Sequence, residues 1–328
     1  MQKGMEFLIY FDFDFYFAKR ERLWLMLFKP RTEDHELLTL GSLNARMALD
    51  SGKRQYYLNK KKGYDGEVMF DAYTEKLECE CLVLNDLLLK FNNKTFQIDS
   101  LLIAERVHQF EVKNFTGDYF YEDKKFYFLS KTEVENPINQ LTRSESLLRQ
   151  LFASLGFNLP IEGRVVFINP DFYLYQAPLD LPILFPTQIN RHMQKLNTAP
   201  YRMNGKLKAL ADKLVAQSAQ NYLESPYTQL PRYCYEDIKP GMNCMKCQAF
   251  SVVLSGKKLG CTVCGFEEKV ESAVLRTVFE FKRLFPSEKL TTSRIYEWCG
   301  GIVSGKWVHG ILERNFKKFN SNRWTYFE

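Results

Sequence analysis

The sequence predicts an α/β layer protein, and three observations carry that prediction. Strand signals crowd residues 82–113, a helix bracketed by Asn136 and Gly156 follows them, and the short apolar run "GRVVFIN" after that helix reads as a buried strand. The chain has 328 residues, 45% of them hydrophobic, which is enough for two or three domains with real cores. No run of about 18 apolar residues occurs. Asp12 and Asp14 break the longest candidate, so no membrane contact is expected. That stretch also lacks the small-residue cleavage site of a secretory signal, and a cytoplasmic location is the simplest expectation.

Residues 1–25 alternate aromatic and acidic side chains unlike anything that follows and read as an appendage, native or not. Leu37 to Leu58 is polar and helical in tone, which makes residues 1–62 an N-terminal extension and helical lead-in. Gly63 and Gly66 then punctuate the chain. Val68, Ala72, Tyr73 and Leu77 form an apolar stripe, so a helix is expected to start near Glu67. "CLVLNDLLLKF", "TFQIDSLLIA" and "VHQFEVKNF" read as strands, the first two joined by an Asn92-Asn93 turn. Asn136 suits an N-cap, Pro137 the first helical position and Gly156 the residue past the end. The α/β domain is expected over 63–190. Asn204 to Tyr222 is helical again, and the two prolines of "ESPYTQLPRY" mark a connection, giving a helical linker over 191–240.

Three charged residues stand inside the strand signals: Asp99, Glu111 and Lys113. Side chains alternate along a strand, so Glu111 and Lys113 share one face while Phe110 and Val112 share the other. A hairpin centred on Glu105 sets Asp99 opposite Glu111. Two carboxylates that close, half-buried, repel each other until one takes a proton or both take a cation. A hard divalent ion completed by water and substrate phosphate answers this, with Lys113 beside it for a phosphodiesterase site.

The stretches "GYDGE" (63–67), "QIDSLLI" (97–103), "FEVKNFTG" (110–117) and "NPINQ" (136–140) resemble the nuclease-related domain (NERD) family, a variant of the restriction-endonuclease-like PD-(D/E)xK fold. The resemblance covers about residues 63–170. It implies a mixed-sheet core flanked by helices, Asp99 and Glu111 as ligands of Mg²⁺ or Mn²⁺, Lys113 as the catalytic lysine, and Glu67 and Gln140 as accessory catalytic residues. It also implies action on DNA. Ile98 stands where the wider superfamily often has proline, and Ser144 where some nuclease branches have tyrosine.

Cys244, Cys247, Cys261 and Cys264 form two C-x2-C pairs 13 residues apart, the spacing of a structural Zn²⁺ held in a zinc ribbon over 241–266. "AFSVVLSGKKLG" between them suits the ribbon's hairpin, with Gly256 in its turn. Four thiolates leave no open position for water. Cys79, Cys81, Cys234 and Cys299 read as residues outside the site.

The net charge is +6, and the chain from Gly241 onward carries all of it, with 14 Lys and Arg against 8 Asp and Glu. Local surplus of that kind suits a nucleic-acid partner. Residues 267–328 read as a helix-turn-helix-like domain with helices over 267–284, 291–299 and 305–318, and "RWTYFE" as a wing strand. In the last helix Trp307, Ile311, Leu312 and Phe316 make the packing stripe, leaving Lys306, Arg314, Lys317 and Lys318 to face phosphate. A small helical bundle that only packs fits the same pattern. The combined expectation is a metal-dependent nuclease. A catalytically inactive nucleic-acid-binding or protein-interaction protein that keeps the nuclease fold is the alternative, and oligomeric state is open.

Overall fold

The computed structural model describes residues 27–224, 229–321 and 324–328. The appendage over 1–25 and the middle of "ESPYTQLPRY" lie outside the described residues. Two compact units emerge, one from Met1–Thr32 with Lys62–Pro226, the other from Glu33–Lys61 with Tyr227–Glu328. This division is coarser than the five segments read from the sequence.

In chain order the first elements are β1 (Leu27–Lys29), α1 (His35–Arg46), α2 (Ser51–Thr74), β2 (Leu82–Phe91), β3 (Lys94–Ile103) and β4 (Val107–Lys113). Then come β5 (Gly117–Glu122), β6 (Lys125–Phe128), β7 (Glu133–Val134), α3 (Pro137–Ser154), β8 (Ile161–Phe167), β9 (Phe172–Tyr175), β10 (Ile183–Leu184), α4 (Ile189–Asn197) and α5 (Gly205–Glu224). The main sheet of the first unit has the order β1-β2-β3-β4-β8-β10. Its middle strands β2, β3 and β4 are antiparallel, whereas β1, β8 and β10 join in parallel. This is the mixed α/β sheet expected. A smaller sheet runs β7-β6-β5-β9.

Ser100 pairs with Phe110, Leu101 with Gln109, and Ile103 with Val107, the register of a hairpin centred on Glu105. The pairing ends at Ser100–Phe110, and Asp99, one residue beyond it, meets β4 through its side chain, which accepts the Val112 N–H at 2.7 Å. The helix after the meander is capped as read: the Asn136 side chain accepts the Ile138 N–H at 2.9 Å, and Pro137 opens α3. Leu147, Leu148, Leu151 and Phe152 of α3 then pack with Leu101, Ile103 and Val107.

Two helical readings change. The helix expected to start near Glu67 begins at Ser51 and runs through both Gly63 and Gly66. Glycine costs a helix only about 1 kcal/mol, and at position 66 it is required by proximity. A Cβ there would stand 2.5 Å from the Cβ of Asn114. Residues 205–224, read as part of a linker, are core: Leu207, Leu210, Ala211 and Leu214 are buried with Leu84, Leu87 and Leu89 of β2. The Ser218 hydroxyl also accepts the Leu88 N–H at 2.9 Å.

The second unit continues with β11 (Val252–Ser255), β12 (Lys258–Cys261), β13 (Glu267–Lys269), α6 (Val270–Leu284), α7 (Thr292–Trp298), α8 (Gly305–Asn315), β14 (Lys318–Ser321) and β15 (Trp324–Phe327). Gly256 takes φ +57 in the β11–β12 turn. The three helices enclose Val278, Phe281, Ile295, Trp298, Ile311 and Leu312, with Phe327 of the terminal hairpin on the same core. Arg46 of α1 is buried here and grips both oxygens of Glu280 at 2.9 and 2.6 Å. It also donates to the carbonyls of Lys239 and Gly241, so the buried charges of this Arg46–Glu280 pair are answered. Lys317 and Lys318 do not extend the last helix. Phe316 adopts extended backbone (φ −134, ψ 151), so Lys317 precedes β14 and Lys318 begins it.

Candidate active site and metal centre

Glu111 is 1% exposed, placed by the apolar residues that alternate with it on β4. Its Oε1 accepts from Lys113 Nζ at 2.7 Å, and the same ammonium donates to Gln140 Oε1 at 2.9 Å. Gln140 arrives there because the Asn136 cap starts α3 four residues earlier. Glu111 Oε2 is buried with no hydrogen-bond partner among the described residues. Asp99, 7% exposed, accepts the Val112 N–H on Oδ2 at 2.7 Å, which ties the carboxylate of β3 to the strand that carries Glu111.

The electrostatics are those of crowded acids. Burial, then the charge of Asp99, pushes Glu111 up to about 8. The same two causes push Glu67 up to about 8. Burial also raises Asp99, against the opposing pull of Lys113. Burial alone would lower Lys113, yet Glu111 and Asp99 hold it above the usual lysine range. The site therefore holds more carboxylate than its own cations neutralise.

Part of that neutralisation comes from residues the sequence reading did not select. Arg31, directly after Pro30, pairs with Glu67, binds Asp71 at 2.9 Å and donates to the Asp99 carbonyl at 2.7 Å. No periodic pattern marks it. Asp71 was legible, since it lies four residues after Glu67 on α2. Asp86 was also legible, being an aspartate inside an apolar strand as Asp99 is. Asn85 pairs with Ser100 and Leu87 with Ile98, and Asp86 between them takes φ 54, so the ladder is interrupted at that residue. Its charge adds to the upward pressure on Glu67 and Asp99.

The donor set fits a hard divalent cation. Glu111 offers an unpaired buried oxygen, Asp99 is near enough for its charge to raise Glu111, and two carboxylates with water and phosphate are a usual Mg²⁺ set. Glu67 does not join them in one tight group. Among the described residues, the group of three or more ligating side chains whose ligand atoms all lie within 4.8 Å of one another is Cys244, Cys247, Cys261 and Cys264.

Those four cysteines sit on the ribbon of β11, β12 and β13. Cys244 and Cys264 sulfurs are 3.6 Å apart, as are those of Cys247 and Cys261. A tetrahedron of thiolates at about 2.3 Å from zinc has edges of about 3.8 Å. Lys246 and Val263 N–H groups donate to the sulfurs of Cys244 and Cys261, the backbone support that orients such ligands. The Cys264 N–H, helped by that of Val263, lowers the Cys261 thiol to about 7. The remaining cysteines stand apart: Cys79 and Cys81 are buried neighbours 3.7 Å apart, Cys299 is core, and Cys234 is exposed beside Asp237.

The basic residues of the tail are spread out. Lys306 is exposed on α8, Arg314 pairs with Glu271 at 3.0 Å, Lys318 pairs with Glu313 at 3.0 Å, and Lys317 lies 5.0 Å from the centre of the Phe319 ring. Among the described residues no helix is long and apolar enough to cross a membrane.

Residues 62–168 match the sequence model of the nuclease-related domain family, NERD. No curated protein and no solved structure gives a match to the chain. The matched stretch contains Glu67, Asp99, Glu111, Lys113 and Gln140 and runs from within α2 to just past β8. The chain thus carries a nuclease-related domain, and the crowded carboxylates lie within it.

Proposed function

We propose that this protein is a metal-dependent nuclease that hydrolyses phosphodiester bonds of DNA. The observation that carries the reading is the unpaired, buried Oε2 of Glu111 beside Asp99, with Lys113 fixed at 2.7 Å from the other oxygen. Asp99 and Glu111 would hold Mg²⁺ or Mn²⁺, which when bound supplies Lewis acidity at the scissile phosphate. Lys113 keeps its positive charge because the two carboxylates raise it, and Gln140 fixes its position. That ammonium is available to offset the negative charge that develops as water's oxygen bonds to phosphorus and the P–O bond to the leaving group breaks. Glu67, held by Arg31, is an accessory acid at the edge of the site.

The deciding experiment offers the full chain linear, circular and single-stranded DNA and RNA with Mg²⁺ or Mn²⁺, beside Lys113→Ala. Cleavage of DNA by the wild type and its loss in the variant are expected. Nucleic-acid binding without cleavage in any arm would reassign the protein to the non-catalytic reading.

The four cysteines hold a structural Zn²⁺ in this proposal, and the C-terminal helices with their hairpin assist DNA binding through Lys306, Arg314, Lys317 and Lys318. Changing Lys317 and Lys318 together to Ala should weaken binding evenly across sequences. It should also flatten the dependence of log affinity on log salt by roughly one unit per lost contact. An unchanged slope would leave the helical bundle with a packing role only.

A further inference from the structure

A second set of cations lies on the sheet face opposite the carboxylates. β4 and β8 are parallel, with Glu111 beside Val165 and Lys113 beside Phe167, so those four side chains share one face. Arg164 is aligned with Phe110 and projects from the other face, where Val166 and Ile168 pack with Phe110, Ile189 and Met193. There α4 carries Arg191 and Lys195, one turn apart, and His192 between them. With Arg164 and Gln188 these residues line a cavity of about 230 Å³.

The chemistry of this lining is unfinished. Arg191 and Lys195 are exposed and have no ion-pair partner among the described residues. Arg164 spends one Nη on Glu162 at 2.7 Å, but its Nε is buried, as is His192 Nε2, and neither has a partner among the described residues. Polar groups taken out of water are normally satisfied, and an arginine Nε can only donate, so the orphaned Arg164 Nε marks a missing acceptor, which His192 Nε2 also meets when it carries the ring proton. Three fixed positive charges around one cleft, only one of them answered by a carboxylate, specify that the acceptor is an anion. A guanidinium fork matches the oxygens of phosphate, and a space several times the share of one water, about 30 Å³, admits a phosphate group with an attached sugar.

We propose that the cleft between β8, β10 and α4 is a phosphate-binding site, occupied by a backbone phosphate of the nucleic acid. The nuclease reading supplies that source; a free phosphate monoester would present the same anion. The site is separate from Asp99, Glu111 and Lys113 and takes no part in the chemical step. It holds a stretch of nucleic acid that passes behind the sheet, so the bound strand is longer than the segment at the carboxylates.

The test reads His192, one of four histidines in the chain. The full-length protein, labelled at histidine and free of divalent cations, is titrated with a short DNA duplex and separately with inorganic phosphate, while ring signals are followed by NMR. The His192 signal should move and saturate with the duplex. In the Arg191→Gln/Lys195→Gln double variant the affinity should fall at least tenfold, and the slope of log affinity against log salt should drop by about one unit, for the one phosphate lost. Both side chains are exposed, so the fold is retained. Movement of His192 with inorganic phosphate and not with duplex supports the anion site and gives its source as a small phosphate ligand. A His192 signal that neither ligand moves, or a double variant with unchanged affinity and slope, overturns the proposal. Because cleavage needs a divalent cation and this binding does not, failure of the nuclease assay leaves the measurement intact.

Discussion

Glu111→Gln and Asp99→Asn are each expected to reduce phosphodiester cleavage by about three orders of magnitude or more. Each change removes a charge and keeps the shape. An amide oxygen at position 111 can still accept from Lys113, and one at position 99 can still accept the Val112 N–H, so neither variant should unfold. Burial raises both carboxylic acids, and the charge of Asp99 adds to the rise at Glu111 as that of Asp86 does at Asp99, so removing one buried acid lightens the crowding. The melting temperature of the metal-free variant should therefore stay level or rise, while the further rise that Mn²⁺ gives the wild type should vanish. Calorimetry with and without the ion reads the second effect independently of activity. Full activity in both variants would remove the nuclease assignment from these residues.

The second large effect concerns the ribbon. Freshly prepared, reduced protein should contain about one zinc, and Cys244→Ser or Cys261→Ser should lose it and unfold residues 241–266 while the nuclease-related domain keeps its structure. The expectation rests on how little apolar surface the ribbon itself buries. Val253 is 56% exposed and Val263 66%, whereas Leu259 is the buried apolar side chain of its second strand. In the proposed ribbon, metal–thiolate bonds would replace a hydrophobic centre, as they do in small zinc modules generally, where binding is worth about 10–16 kcal/mol. Limited proteolysis within 241–266 after chelation reads the loss. Metal analysis that finds no zinc would end the ribbon reading.

Legibility followed the kind of signal. The hairpin register from Ser100–Phe110 to Ile103–Val107 could be read because alternation of apolar residues fixes which face each side chain takes, and a slip of one residue would reverse all of them. The Asn136-Pro137 start of α3 and the C-x2-C spacing could be read because each is a local, chemical requirement. What escaped was set by distant neighbours. The helix runs through Gly63 and Gly66 against the usual meaning of glycine, and at position 66 the reason is Asn114, which demands an open position there. Arg31 meets Glu67, Asp71 and Asp99 only once α2 and β3 are brought together, and no spacing in the sequence announces that. The last helix stops at Asn315 although its apolar pattern continues to Phe316, which packs 5.8 Å from Phe279 from an extended backbone.

The Arg31 bridge bears on how the acids behave before any ion arrives. One guanidinium joins the helix carrying Glu67 and Asp71 to the backbone of the strand carrying Asp99, so the Glu67 and Asp71 carboxylates are held at their posts by a permanent countercharge that needs no metal. Such a site is preorganised. A divalent ion held there as proposed would meet ligands already in place, its affinity would not be diminished by a conformational search, and it would exchange at the pace of its own dehydration. Metal occupancy would then follow the free concentration of the ion closely. Turnover in this protein would be governed by ion supply, with no folding step between them.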